Sequence, residues 1–315
     1  MTTREAGSPS VVVLGAGAVG GYFGGRMVQH GSANVTFLVR PERKAKLLCD
    51  GLRIESPFGN AVLSVDARTR DELAGAAPDY LIVTSKSYDL DSAIADIVPV
   101  VGPNTTVVPL LNGLSHLDRL NDAFGSERVI GGTVSLQVRL GADGTVQHLN
   151  DWQIITIGEQ GGGLSPRVER LADALSRAKL QATASPAILA RMWEKLVMLA
   201  TLAGMTTLMR ASVGEIASAP GGAALSLAML EAHAETAARN GYPVDERQMT
   251  VFRRMFADQS LGLTASMLGD MQRGGPIEAD HILGFMLDRA RAAGLDAPLT
   301  AAAYANARIY EARRG

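Results

Sequence analysis

The stretch that decides the fold is Val11-Val12-Val13-Leu14-Gly15-Ala16-Gly17-Ala18-Val19-Gly20. Four apolar residues, three of them β-branched, run into a glycine turn, and a helix-forming segment from about Ala18 to His30 follows. In this order the first glycine lets the backbone turn sharply. The second leaves room for a pyrophosphate beside the main chain, and the third lets the helix lie close to a sheet. Free N–H groups at the positive end of that helix would hold the pyrophosphate. Gly15, Ala16, Gly17, Ala18, Val19 and Gly20 are therefore candidate cofactor-binding residues. A tight strand–helix turn without a ligand is the plainer alternative.

Working outward, the first half alternates strands and helices. Asn34 to Arg40 reads as a second strand, and Pro41 to Cys49 as a short helix. Gly51 to Arg68 alternates apolar and polar residues around Pro57-Phe58-Gly59-Asn60, the pattern of a hairpin. Asp79 to Thr84 and Thr105 to Leu111 are apolar runs suited to a parallel sheet covered on both faces. Val129 to Gly158 is strand-rich, with a hairpin turn at Gly141-Ala142-Asp143-Gly144, and a helix starts near Pro166. Sequential βα units predict a doubly wound α/β sheet. The interior glycines Gly20, Gly21, Gly24 and Gly25 each cost a helix roughly 0.5–1 kcal/mol, which implies close packing around it.

The pattern changes at Ser185-Pro186. Beyond it only helical periodicity is found, over about 187–209, 221–240, 245–257, 264–273, 277–293 and 298–313, with Pro243, Pro276 and Pro298 where helices should start. The expected division is a dinucleotide-binding domain over 1–186 and an all-helical substrate and catalytic domain over 187–315.

Bulk properties narrow the partners. A net charge of −2 does not point to nucleic acid or an anionic membrane. The single cysteine, Cys49, cannot form an internal disulfide, which fits a reducing compartment. The five histidines show no ligand spacing, so no metal site is expected. The stretch Met1–Ser10 is polar, without the apolar core of a signal peptide. The longest apolar run, Leu196–Met209, is shorter than the ~20 residues that span a bilayer. A cytoplasmic, soluble protein is expected, and the apolar helical half suits a homodimer.

Several residues outside the glycine turn could carry chemistry. Arg40 stands at the end of the second strand, where an acidic residue would bind a ribose 2′-hydroxyl. An arginine suits a 2′-phosphate instead, which favours NADP over NAD; a solvated helix start is the alternative. Lys86 and Asn112 follow the third and fourth apolar strands, where open α/β sheets bind ligands. A surface lysine and a turn asparagine are the plain readings of each. Lys195, in Trp193-Glu194-Lys195-Leu196-Val197, enters the most apolar helix, where burial would lower its pKa and ready it to donate a proton to a ketone oxygen; a snorkelling lysine is the alternative. Glu278 would partner Lys195 or a ribose hydroxyl, or simply favour a helix start. Ser266 would bind a substrate carboxylate, or cap a helix.

Taken in order, the Gly15–Gly20 turn, Arg40, Lys86, Asn112-Gly113, Lys195-Leu196-Val197 with Thr206, Ser266-Met267-Leu268 and Glu278 resemble the ketopantoate reductase (2-dehydropantoate 2-reductase) family over nearly the whole chain. The resemblance implies a Rossmann-type domain followed by an all-α domain like the C-terminal part of 6-phosphogluconate dehydrogenase, with the active site in the cleft. It implies NADPH-dependent reduction of a small-molecule 2-keto acid, as in pantothenate biosynthesis. Lys195 would be the general acid, with Glu278 assisting it and touching the cofactor. Asn112 and Lys86 would line the cofactor site, and Asn112, Lys195, Leu199, Ala203 and Ser266 would face the substrate.

The chain departs from the family pattern at three amide positions. Asparagines four and eight residues beyond the lysine are here Leu199 and Ala203, on roughly one helix face with Lys195. A third is replaced by Val213, ahead of Gly214-Glu215. An apolar site cannot select a hydroxylated substrate as an amide-lined one does. The expected substrate is therefore a 2-keto acid with a bulkier apolar or aromatic side chain. The rivals are a D-mandelate-type or β-hydroxyacid-type dehydrogenase, and a catalytically idle NADP-binding sensor.

Overall fold

Val11, Val12 and Val13 are all but inaccessible, as three successive residues can be only when both faces of their strand are covered. They form the middle of β1 (Ser10–Leu14), and the first unit is built around it. The computed structural model describes residues 7–314; the first six residues of the polar stretch Met1–Ser10 lie outside the described residues. Two units divide the chain. One runs up to Leu111 and resumes over His116–Ile188; the other takes Asn112–Ser115 and everything from Leu189 on.

In the first unit, chain order after β1 is α1 (Ala18–Gln29), β2 (Asn34–Leu38), α2 (Pro41–Asp50), β3 (Leu52–Glu55), β4 (Ala61–Leu63), β5 (Asp66–Arg68), α3 (Arg70–Leu73), β6 (Tyr80–Val83), α4 (Leu90–Ile97) and β7 (Thr106–Pro109). Then come α5 (Ser115–Phe124), β8 (Gly131–Ser135), β9 (Val138–Leu140), β10 (Val146–His148), β11 (Ile154–Gly158), α6 (Pro166–Arg177) and β12 (Gln181–Ala184). Five strands form an all-parallel sheet in the order β5-β2-β1-β6-β7. Strand order reverses between β1 and β6, which is where a doubly wound sheet opens a crevice at its carboxyl edge. This is the Rossmann-type arrangement expected.

Two smaller mixed sheets, β4-β3-β10-β9 and β12-β11-β8, complete the unit. They account for the glycines of α1. A Cβ on Gly24 would lie 2.8 Å from the Phe37 ring of β2, and one on Gly25 would lie 2.6 Å from Ile54 of β3. A Cβ on Gly21 would stand 2.8 Å from Val146 of β10. The helix is squeezed between the parallel sheet and the second sheet, and only glycine lets both approach it.

The second unit is helical: α7 (Ile188–Met209), α8 (Val213–Ser218), α9 (Gly222–Arg239), α10 (Glu246–Ala257), α11 (Ser266–Gln272), a π-turn (Asp280–Gly284), α12 (Phe285–Ala292) and α13 (Pro298–Arg314). No strand follows Ala184 among the described residues. Buried His233 ties three helices together, meeting Thr201 of α7 at 2.9 Å and Thr300 of α13 at 2.9 Å. Burial pushes its pKa down to about 3, so the ring is neutral here.

Three local expectations change. The short α8, held by a reciprocal Ser212–Glu215 capping box, is absent from the periodicity. Helix α10 starts at Asp245 as its cap rather than at Pro243. The segment read as one helix over 277–293 begins three residues later and opens as a π-turn; of the three prolines, Pro298 alone is a first helical residue.

Candidate functional site

Helix α1 begins at Gly17 with no side-chain cap and no acidic residue in its first turn. Its orphan N–H groups and positive end are thereby left to an anion. Gly15 turns the chain with φ +89°, and a Cβ on Gly17 would meet nothing within 4 Å. Gly20 does the opposite: a Cβ there would lie 2.4 Å from the Gly15 carbonyl oxygen and 2.6 Å from Thr84 Oγ1. That threonine hydroxyl donates to the Leu14 carbonyl at 2.9 Å, tying β6 to β1 at the switch point.

A cavity of about 700 Å³ opens beside this turn. Gly15, Ala16 and Gly17 line it from one side, Arg40 and Arg43 from another, and Thr84 and Ser85 from just beyond β6. The size falls in the range of small-molecule and cofactor sites. Two polar atoms of residues in this lining, Ser85 Oγ and Arg43 Nε, lie beneath its surface, buried without a hydrogen-bond partner among the described residues. Such atoms are costly unless a ligand meets them. The room over Gly17, the uncapped helix and the two arginines of the lining fit a dinucleotide phosphate.

Arg40 is exposed at the cap of α2 and reaches the cavity. Arg43, one turn further, is half-buried; its guanidinium donates to the Ala16 carbonyl at 2.9 Å and to Gly144 at 3.2 Å. Burial lowers its pKa, though an arginine keeps its charge. Sequence reasoning saw Arg43 only as part of a basic run, because nothing in spacing says that it bends back to the glycine turn. Lys86 is exposed ahead of a short turn and is not part of this lining.

The second unit gathers a different group. Lys195 Nζ donates to Asn112 Oδ1 at 3.0 Å. The segment Asn112–Ser115 belongs with the helices although only Leu110 and Leu111 separate it from β7 in the chain. Burial pushes the Lys195 amine down to about 8, and the Glu278 carboxylate pulls it partly back up. Glu278 is itself only 7% exposed. A buried ammonium facing an amide oxygen and a carboxylate is an acid that can give up its proton near neutral pH.

Other expected residues are placed more loosely. Leu199 is half-buried one turn beyond Lys195, while Ala203 has no exposed surface and Val213 almost none. Ser266 is exposed as the first residue of α11, behind the Ala265 cap. Two residues that sequence reasoning missed adjoin the Lys195 group: His281 of the π-turn, whose Nδ1 is hydrogen-bonded to Ser115 Oγ. They lie 166 positions apart, and no motif links them.

The family model described as ketopantoate reductase PanE/ApbA matches residues 11–162, and its C-terminal counterpart matches residues 187–311. An uncharacterized oxidoreductase, YkpB, of Bacillus subtilis is 32% identical over 96% of this chain and 99% of its own. A 2-dehydropantoate 2-reductase of Mesorhizobium japonicum is 27% identical over 97% and 98% of the two chains. Among solved structures, 2-dehydropantoate 2-reductase from Methylococcus capsulatus superposes with a TM-score of 0.86 at 25% identity, covering 97% of this chain and 98% of that one. D-mandelate dehydrogenase with NADH and anilino(oxo)acetate gives 0.86 at 21% identity over 97% and 99%, a likeness of fold alone.

Proposed function

Since the chain belongs to the ketopantoate reductase family, and so is an oxidoreductase acting on a keto acid and its CH–OH product, we propose that it uses NADPH and prefers a 2-keto acid with an apolar or aromatic side chain. The observation that carries the reading is the Lys195 ammonium, bonded to Asn112 at 3.0 Å and poised at a pKa of about 8. At pH 7 such a group is mostly charged, yet it gives up its proton far more readily than an ordinary lysine.

When bound, NADPH supplies a hydride to the substrate's carbonyl carbon. The chain's own residues do the rest. Lys195 protonates the oxygen as negative charge develops there, and Glu278 keeps the amine charged beforehand. An ammonium has three donors; one goes to Asn112, which orients the others. Holding the acid in place before reaction is what gives positioned groups their effect. On the cofactor side, the glycine turn and the first N–H groups of α1 would take the pyrophosphate, and Ser85 and Arg43, which line the cavity, would meet phosphate or ribose oxygens. Arg40 pairs with a 2′-phosphate, which is the argument for NADP over NAD.

Leu199 supports the substrate preference. It stands one turn from Lys195 and offers carbon where an amide would hold a hydroxyl. The D-mandelate dehydrogenase neighbour holds anilino(oxo)acetate, which carries an aromatic ring, so this fold has room for one. Ser266, exposed at the start of α11, is the candidate for the substrate carboxylate. Steady-state kinetics with NADPH and NADH, against ketopantoate and a panel of branched and aromatic 2-keto acids, test the reading. A best kcat/KM for ketopantoate would refute the apolar preference. No turnover with any keto acid and either cofactor would refute the reductase assignment.

A further inference from the structure

The segment that carries Asn112 is seated on one side chain. Ser115 Oγ is hydrogen-bonded to His281 Nδ1. Gly113, at φ +83°, brings its backbone so close to His281 that a Cβ would lie 3.0 Å from the ring's Cδ2 and 3.1 Å from the His281 carbonyl oxygen. The Asn112 backbone also bonds the imidazole, with the sign of an acceptor, since it favours the charged ring. Burial outweighs both the Glu278 carboxylate, which raises the ring's pKa more, and this bond, and holds it below the ordinary histidine value. A neutral ring has one donor and one acceptor nitrogen. If the Asn112 carbonyl takes the ring proton, Nδ1 is the acceptor and the Ser115 hydroxyl donates to it.

His281 is in turn held from behind. Asp280, beside it, accepts from Tyr304 Oη at 2.6 Å and from Arg308 Nη1 at 2.9 Å, both on α13. Gly284 ends the same π-turn so near the Tyr304 ring that a Cβ on it would lie 3.2 Å away. π-turns are rare, and they gather at functional sites because the extra residue re-aims side chains. Here the turn aims the His281 ring at the Asn112–Ser115 segment while Glu278, just upstream, acts on Lys195.

We propose that His281 is a positioning residue: through Ser115 and the Asn112 backbone it fixes the Asn112 amide, and thereby the Lys195 ammonium, in the geometry that proton donation needs. The inference rests on the reductase reading for its catalytic part, but the clasp itself can be read without turnover. Three variants test it: His281→Leu removes the ring contacts, Ser115→Ala removes one bond from the other side, and His281→Asn places an amide oxygen close to where Nδ1 stands. In wild type, hydrogen–deuterium exchange over residues 112–115 should be slow, and it should quicken in His281→Leu and Ser115→Ala.

Misplacing a reacting group by about 1 Å costs up to ~100-fold. His281→Leu should therefore lower kcat by about 10- to 100-fold, with NADPH Kd and KM for the keto acid within about twofold. His281→Asn should recover most of that loss, and Ser115→Ala combined with His281→Leu should be no worse than His281→Leu alone. If His281→Leu does not fold, Ser115→Ala carries the test with both readouts. Unchanged exchange in the variants overturns the clasp. Faster exchange with wild-type kcat overturns the positioning role, as does a loss of kcat that His281→Asn does not relieve. A wild-type protein inert toward every keto acid refutes the reductase reading, and with it the catalytic part, whereas the exchange result still decides the clasp.

Discussion

Glu278→Gln removes a charge while keeping the side chain's size, so it isolates the carboxylate's hold on Lys195. Burial depresses the lysine and Glu278 opposes that depression, the two leaving the amine at about 8. An opposite charge at close range is worth about one to three pKa units. Taking the low end, because a glutamine dipole replaces part of the interaction, the amine falls toward ~7. At pH 7.5 the protonated fraction then drops from about three-quarters to about one-quarter, and at pH 6 it stays above about nine-tenths in both. The alkaline limb of kcat/KM for keto-acid reduction should therefore move about one pH unit toward acid. The variant should lose about threefold at pH 7.5 more than it loses at pH 6. The assay is NADPH oxidation over pH 5.5–9 with both proteins. A loss of equal size at every pH, or a limb that moves toward base, would refute the electrostatic role and leave Glu278 as a packing or cofactor contact.

Three other outcomes follow from the same geometry. Lys195→Met should abolish turnover yet raise stability at pH 7 by about 1–2 kcal/mol, discounted from the full shift because the residue keeps some exposure. Its folded-state pKa is depressed from 10.5 to about 8, so the burial penalty is fully present below pH 8 and fades as pH rises toward 10.5. Urea denaturation should show wild type gaining on Lys195→Met across that window, and parallel pH profiles would refute this. Arg40→Ala should raise KM for NADPH by about tenfold and barely change KM for NADH, whereas Arg43→Ala, which frees the Ala16 and Gly144 carbonyls, should weaken both cofactors. Gly20→Ala should destabilise the first unit by about 1–3 kcal/mol in the same denaturation assay, because its Cβ would press on the Gly15 oxygen at 2.4 Å.

What the sequence made legible follows from the range of each signal. The parallel sheet could be read because runs such as Val11–Leu14 and Tyr80–Val83 are buried on both faces, and a continuous apolar run is the mark of that burial. The glycines of α1 announced close packing, but not what packs, since the second sheet that meets Gly21 and Gly25 comes from strands up to 125 positions away. The π-turn at Asp280–Gly284 was invisible because one extra residue in a turn leaves the apolar period of 277–293 nearly intact. Arg40 was legible by its offset from Gly20, whereas Arg43 depends on a side-chain path across the turn.

The same reasoning explains why the Lys195 group was half visible. A lysine among Trp193, Leu196 and Val197 must be partly desolvated, so a depressed pKa is written in its neighbours. Its hydrogen-bond acceptor is not, because Asn112 belongs to a segment that leaves the strand unit for the helical one over four residues. That transfer needs Gly113 at positive φ, and it needs His281 to receive the segment. On the proposed reading, the position of the acid is thus set by a glycine and a histidine that carry no charge to the reaction. An Asn-Gly pair after a strand reads as a turn on local grounds, and here the turn's work is to carry the asparagine amide to a lysine 83 residues away. Sequence patterns report what each residue prefers of its own environment; the Lys195–Asn112 contact is a property of two environments brought together, and it becomes legible only once the fold is known.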